Sequence, residues 1–413
     1  VPVRSLDSRL DGWLERCAAD PELATLSQGL EATLAFQAGA VERRLTLGEA
    51  PRLGGGTPVL LIRAEAAAWQ QLLSGPYPRG WQSFGAIRRF NPAFEITVES
   101  PLTEAQLLAP LERLVEIAVA PPAEPNLPAG FDLSGLESGL KAVGVDARGP
   151  AQIRVTTAGS GRPVLFLHTA GADSRQWLYQ LGDPALAARY RMVAFDLPGH
   201  GGSGLEGEFG GRASAWQATG GRYLAWCKAA IEAFCEAPPI VVGCSAGAAM
   251  ALTLAAKAPD LVAAAIALEA PFKARGRLTP FLDHARVHAG RHNPAWVRAL
   301  LAPGSPKPHR DEACGIYQQA RPGTYAEDLR YYSEEFDAAE LVEALNRNGR
   351  PVVLRTGAYD YSASPEDSGR IAEAVPAADF EVMPELGHFP MIENPGAFAP
   401  WLAKALEAAE ERS

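Results

Sequence analysis

The sequence predicts an α/β fold: a mostly parallel sheet covered by helices and interrupted by a helical insertion, preceded by a smaller α+β domain. Three observations predict it. Apolar runs that do not alternate, such as PVLFL (163–167), PPIVVG (238–243) and LVAAAIAL (261–268), recur between helical segments, as strands buried on both faces of a parallel sheet do. The chain before them reads instead as short, partly alternating strands among helices. Between the two textures lies AVAPPAEPNLPAG (118–130), where Pro121, Pro122, Pro125 and Pro128 stiffen the backbone and forbid a helix or central strand. With 413 residues, about two domains are expected. The reading is an α+β domain at 1–120, a Pro-rich linker at 121–148 and the larger domain at 149–413.

In the first domain, SLDSRLDGWLERCA has apolar residues at helical spacing behind a Ser/Asp start. EATLAFQAG, ERRLTLGE and TPVLLIRAE read as strands, AEAAAWQQLLSG as a helix, AFEITVES as a strand and LTEAQLLAPLERLVEIAV as a closing helix. Beyond the linker, AQIRVTTAG and PVLFLHTAG are strands with a tight break between them. YRMVAFDLPGHGGS is a strand entering a Pro-Gly loop, and CKAAIEAFC is helical. PPIVVGCSAG is a buried strand and AGAAMALTLAAKAP the helix after it. LVAAAIALEAP, RPVVLRTGAYD and ADFEVMPELGH complete the series of strands. Ligands of such sheets sit at the carboxyl ends of the strands.

Composition excludes several functions. Charged residues are 21% and hydrophobic residues 47%, as in a folded globular chain, and the net charge of −10 argues against nucleic acid. Cys17, Cys227, Cys235, Cys244 and Cys314 are odd in number and lack C-x-x-C spacing, so neither a disulfide framework nor a zinc site is expected. AAMALTLAAKAPDLVAAAIALEA is broken by Lys257, Pro259 and Asp260 too early for a membrane span. The opening VPVRSLDSRLDGW has no apolar run of the kind a secretory leader needs. A cytoplasmic location is expected, with the native N-terminus left open because no Met leads the chain.

The pattern GCSAG places Ser245 between two glycines at a strand-to-helix turn, a match that alone is weak in a chain rich in Gly and Ala. It stands with HTAGADS, FDLPGHGGS, GAYDY and PELGHFPMIENP, in that order on successive strand ends. On these motifs the chain from about 150 onward resembles an α/β-hydrolase with a lid. The resemblance implies a lid at about 271–348 and a nucleophile, acid and base in the chain order Ser245, Asp360, His388. It further implies an oxyanion hole from the amides of Ala246 and Ala170, although Thr169 stands where Gly is usual. The first domain resembles, by its order of helices and strands, a sterol-carrier-protein-2-like domain, which holds an apolar ligand. The plainer alternative is that it covers the active site or forms a homodimer interface.

Other readings stay open beside these. Asp360 is also readable as a helix cap, with Glu366 or Asp367 orienting the base, and Glu269 is an alternative acid. Cys244 adjoins the nucleophile but is expected to be an inert buried thiol. His168 and His200 read as loop-packing residues. His284, His288 and His292 would share one face of a helix, yet lack a carboxylate or cysteine partner, so no metal is expected. Trp296, Tyr317, Tyr325, Tyr331, Tyr332 and Phe336 are candidates for an apolar pocket over Ser245, with packing within the lid helices the alternative for most of them; Thr169 and Cys244 are further pocket candidates, and Arg286 and Arg291 are candidates for a substrate carboxylate or are simply exposed.

The function expected from this set is cofactor-free hydrolysis of an ester or lactone of an apolar or aromatic acid. The runner-up is hydrolysis of a carbon–carbon bond in a β-diketone or ring-cleavage product. A third reading, from another class, is a lipid carrier in which the hydrolase fold is subordinate.

Overall fold

The computed structural model describes residues 6–208 and 215–412. Its N-terminal part is a five-stranded sheet, β1 (Ala32–Ala38), β2 (Val41–Leu47), β3 (Arg52–Leu53), β4 (Leu60–Ala64) and β5 (Phe94–Val98), in the order β3-β2-β1-β4-β5. Only the β1–β4 pair is parallel. Helix Leu6–Ala18 buries Leu10, Trp13, Leu14 and Cys17, the stripe set by three- and four-residue spacing. Helix Pro101–Val119 starts at Ser100, whose hydroxyl accepts the Thr103 amide, with Pro101 in the first turn where its missing N–H costs nothing. Trp13, Phe36, Trp69 and Phe94 fill the core, ring centroids 5.1 to 6.1 Å apart.

The second sheet has eight strands: β6 (Glu137–Val143), β7 (Ala151–Ala158), β8 (Arg162–Leu167), β9 (Tyr190–Phe195), β10 (Ile240–Cys244), β11 (Ala264–Leu268), β12 (Val352–Gly357) and β13 (Asp379–Met383). Their order is β13-β12-β11-β10-β8-β9-β7-β6, parallel from β9 to β13 and antiparallel at β6 and β7. Every residue of β10 and β11 is buried, which is why these strands read as unbroken apolar runs. After β8 the chain winds first to one side, to β9, and then to the other, to β10. The crevice at this reversal is where ligands of open parallel sheets bind.

One strand departs from the sequence reading. Residues 137–143 fall in the span read as linker, yet they form β6, paired along its length with β7. Six of its seven residues are exposed, so this edge strand carries no apolar alternation to read.

Between β11 and β12 the chain inserts helices Ala289–Ala299, Lys307–Gln318, Thr324–Arg330 and Val342–Asn348, with a π-helical turn at Tyr331–Glu335. Helix Ala289–Ala299 packs on helix Pro101–Val119 of the N-terminal part, and Ala295 joins that part's core. The contact is pinned by Glu116, buried and ion-paired with Arg113 and Arg298, each at 2.6 Å, and with Arg310 at 3.5 Å. Burial disfavours its charge, but the three guanidiniums outweigh that and hold the carboxyl at about 2. No helix among the described residues is long and apolar enough to cross a membrane.

Candidate active site

Ser245 joins β10 to helix Ala246–Lys257 with φ 58° and ψ −115°, a left-handed conformation costly for any residue but Gly. Its amide donates to Leu268 O at 2.9 Å, which ties the turn to β11. The flanking glycines are required by contact. A Cβ on Gly243 would lie 2.1 Å from Gly247 O, and one on Gly247 would lie 2.6 Å from Leu167 O. The sharp turn thus lifts the hydroxyl to the sheet edge at the start of a helix, where the first amides have no intrahelical acceptor.

His388 and Asp360 come from the loops after β13 and β12. The Ser245 hydroxyl is 2.9 Å from His388 Nε2, and His388 Nδ1 is 2.7 Å from Asp360 Oδ2. Asp360 Oδ1 accepts the amides of Ser362 (2.6 Å) and Ala363 (3.1 Å), so this carboxylate has its lone pairs filled from two sides. Burial opposes its charge, yet the imidazole and these donors outweigh burial and depress the acid below the usual carboxylate range. Glu366 and Asp367 do not reach His388. Asp367 takes part instead at the start of helix Pro365–Ala374, where its amide donates to Ser364 Oγ.

Glu269, the alternative acid, is a neighbour of Asp360. It is wholly buried at φ 53°, both carboxyl oxygens lie 3.0 Å from the Gly357 amide, and its side chain hydrogen-bonds Asp360. Burial pushes the Glu269 acid well above the usual carboxylate range, and the Asp360 charge and the hydrogen bond to Asp360 add to that. Glu269, Asp360 and His388 are close enough to suggest a cation site by distance alone. Their bonding speaks otherwise, because His388 Nδ1 and Asp360 Oδ2 are engaged with each other.

On the other side of Ser245, the loop after β8 is fixed by side chains. The Thr169 amide donates to Gln176 Oε1 at 3.1 Å, and its hydroxyl bonds Gln176 and Tyr317. The Ala170 amide has no acceptor among the described residues, and Ala170 lines the cavity over Ser245. His168 is a loop anchor: Nδ1 donates to Thr169 O (2.9 Å) and Nε2 accepts the Leu197 amide (3.2 Å). His200 donates to Pro198 O and, at 2.9 Å, to Asp328, a buried acid of the insertion. Asp328 also accepts the Gly171 amide at 2.8 Å and the Trp216 indole at 2.6 Å. One carboxylate therefore ties the Ala170 loop to the insertion.

The cavity has about 550 Å³ of empty space, its open mouth included, and is walled by Trp296, Tyr317, Tyr325, Tyr332, Leu300 and Phe389 above Ser245 and His388. Tyr332 Oη is buried without a partner of good geometry among the described residues and lies beside the Ser245 hydroxyl. Thr169 lines the cavity wall. Cys244 does not: its side chain lies under the sheet edge, where Sγ donates to His388 O at 3.3 Å, and burial pushes its pKa far up. Tyr331 and Phe336 are core residues, Tyr331 packing on Tyr223 with centroids 5.5 Å apart. The three spaced histidines share no helix face, because the helix begins at Ala289 and only His292 lies in it. Arg286 and Arg291 lie away from the cavity, Arg291 bonding Leu26 O and Gln28 O. Sequence reasoning missed Arg89 and Arg277, which do line it. Nothing in the sequence indicates that helix Phe84–Phe90 reaches across from the other domain.

Comparisons with known proteins bear on the family and the fold. The profile described as the alpha/beta hydrolase family matches residues 164–401. The BpoC protein of Mycobacterium tuberculosis, provisionally named a non-heme bromoperoxidase, is 30% identical over 252 residues, 58% of this chain and 91% of that one. Esterase Rv0045c of the same organism is 29% identical over 179 residues, 40% of this chain and 54% of its own. The enol-lactonase of Burkholderia xenovorans LB400 superposes with a TM-score of 0.54 at 16% identity, covering 65% of this chain and all of its own, a likeness of fold.

Proposed function

The chain belongs to the alpha/beta hydrolase family, and from that premise we propose that it is a serine hydrolase cleaving an ester or lactone of an apolar or aromatic acid. The observation that carries this reading is the buried hydrogen-bonded series from Ser245 Oγ through His388 to Asp360, opening on an apolar cavity. A serine hydroxyl needs a base, and His388 Nε2 is within proton-transfer distance of it. Asp360 fixes the tautomer that leaves Nε2 free to accept and stabilises the imidazolium that forms.

In the first half-reaction Ser245 Oγ bonds the carbonyl carbon while its proton passes to His388 Nε2. The tetrahedral oxyanion takes hydrogen bonds from the Ala246 and Ala170 amides, donors whose loss typically slows such enzymes roughly 10²–10³-fold. Collapse breaks the bond to the leaving oxygen, which receives the proton from Nε2. Water then gives its proton to Nε2, attacks the acyl-enzyme and releases the acid, returning the proton to Ser245. The insertion between β11 and β12 serves as a lid that keeps bulk water from the cavity. The esterase relative, which matches over part of its length, supports ester cleavage.

The test is initial rates on p-nitrophenyl esters of increasing acyl length, for the protein and for Ser245→Ala. Turnover lost in the variant, with an optimum at medium acyl or aromatic groups, is the expected result. Equal turnover by the variant overturns the assignment.

A further inference from the structure

The cavity over Ser245 carries two positive charges that the proposed chemistry does not use. Arg89 comes from helix Phe84–Phe90 of the N-terminal part and Arg277 from the start of the insertion, and both line the cavity. Neither has a carboxylate within ion-pair distance among the described residues. Arg277 spends one nitrogen on Ser362 O, and its buried Nε has no partner among the described residues. The acid in its field, Asp367, is paired with Arg370 at 3.7 Å. The Arg89 guanidinium carbon lies 4.5 Å from the centroid of the Trp296 ring, a cation–π contact at the cavity wall to which both residues belong.

This placement is built. Ser83 caps helix Phe84–Phe90 and donates to Ala299 O at 2.7 Å, joining the helix to the insertion. Glu112 accepts the amides of Phe84 (3.0 Å) and Gly85 (2.8 Å) at the same helix start. Phe90 packs on Tyr361, beside Asp360, with centroids 5.2 Å apart. Arg89 stands at the exposed end of its helix, and partial burial of its guanidinium with the like charge of Arg277 lowers its pKa against the opposing influence of Tyr361 and Glu104. In a chain of net charge −10, two cations that line one cavity and have no ion-paired carboxylate among the described residues suit an anionic ligand.

We propose that Arg89 and Arg277 form a carboxylate-binding clamp at the mouth of the Ser245 cavity, so that the substrate is an ester or lactone bearing a second, anionic carboxylate. The N-terminal domain thereby contributes a specificity residue. The position of the scissile bond rests on the proposed hydrolysis at Ser245; the anion site does not.

The experiment compares kcat/KM of the full chain on ester pairs differing by one charge. On the acyl side these are mono-p-nitrophenyl succinate, glutarate and adipate against the neutral esters of equal acyl length. On the leaving-group side they are 4-acyloxybenzoates against the corresponding phenyl esters. The anion is expected to be preferred roughly tenfold to a hundredfold on one side, the worth of a charge-assisted contact. That ratio should fall towards one in Arg89→Gln and in Arg277→Gln, return in part in Arg89→Lys, and stay unchanged in the exposed Arg286→Gln. Neutral esters preferred or equal in both panels, or a ratio unmoved by both Gln variants, overturns the proposal. If no ester is turned over, calorimetric binding of 3-phenylpropionate against 3-phenylpropanol decides. Arg-dependent preference for the acid upholds the clamp while the hydrolysis reading falls, and equal binding overturns the clamp.

Discussion

Glu269 and Asp360 meet at the ends of the neighbouring strands β11 and β12, both wholly buried, with carboxyl oxygens within 4.8 Å of each other and of a ring nitrogen of His388. Their environments push the two acids in opposite directions: burial and the Asp360 charge raise Glu269, whereas His388 and the Ser362 amide outweigh burial and lower Asp360.

Glu269→Gln keeps a donor to Asp360 and is expected to retain most activity, whereas Glu269→Ala removes it and should lower kcat about tenfold with little change in KM. The sign of the pH effect follows from the raised folded pKa. The contribution of Glu269 to stability is full below its unfolded value and is lost as pH rises towards the folded one. Thermal melts from pH 5 to 9 should therefore show wild type losing ground to Glu269→Gln as pH rises. A constant difference would contradict this.

Glu116 behaves in the opposite sense. Its carboxyl is held at about 2, so the stability it supplies is present above the unfolded value near 4.5 and lost as pH falls towards 2. Glu116→Gln leaves Arg113, Arg298 and Arg310 without their shared anion, and a loss of about 3–5 kcal/mol at pH 7 is expected. Denaturant titrations of both proteins at pH 7 and pH 3 should show the gap closing in acid.

Asp328→Asn tests the anchoring of the Ala170 loop. The Asp328 carboxylate raises the pKa of His200 against the opposing effect of burial, so the pair stabilises the fold below the unfolded histidine value and fades as pH rises through the folded one. The variant should lose stability at pH 6 more than at pH 9. Its kcat should fall roughly tenfold or more, because the Gly171 amide loses a charged acceptor next to the proposed oxyanion donor. An unchanged kcat would mean the loop holds itself.

What the sequence disclosed follows from where the information sits. Ser245, Asp360 and His388 were legible because each stands at a strand end marked by a local motif, and the strands announced themselves through unbroken apolar runs. β6 was not legible, since an exposed edge strand leaves no pattern. Glu269 and Asp360 read as rival acids, because sequence locates two strand ends without showing that their carboxyls touch. Arg89 lay hidden for the same reason on a larger scale: it reaches the cavity through packing between residues distant in sequence. The spacing at 284, 288 and 292 bears on a shared face only if all three residues are helical, and the helix begins at Ala289, so only His292 lies in it.

The most direct test of the central claim is covalent labelling with a fluorophosphonate, followed by peptide mass mapping. One adduct is expected, on the peptide containing Ser245, abolished in Ser245→Ala and strongly slowed in His388→Ala. An adduct on another residue, or ester turnover by a protein whose Ser245 stays unlabelled, would contradict it.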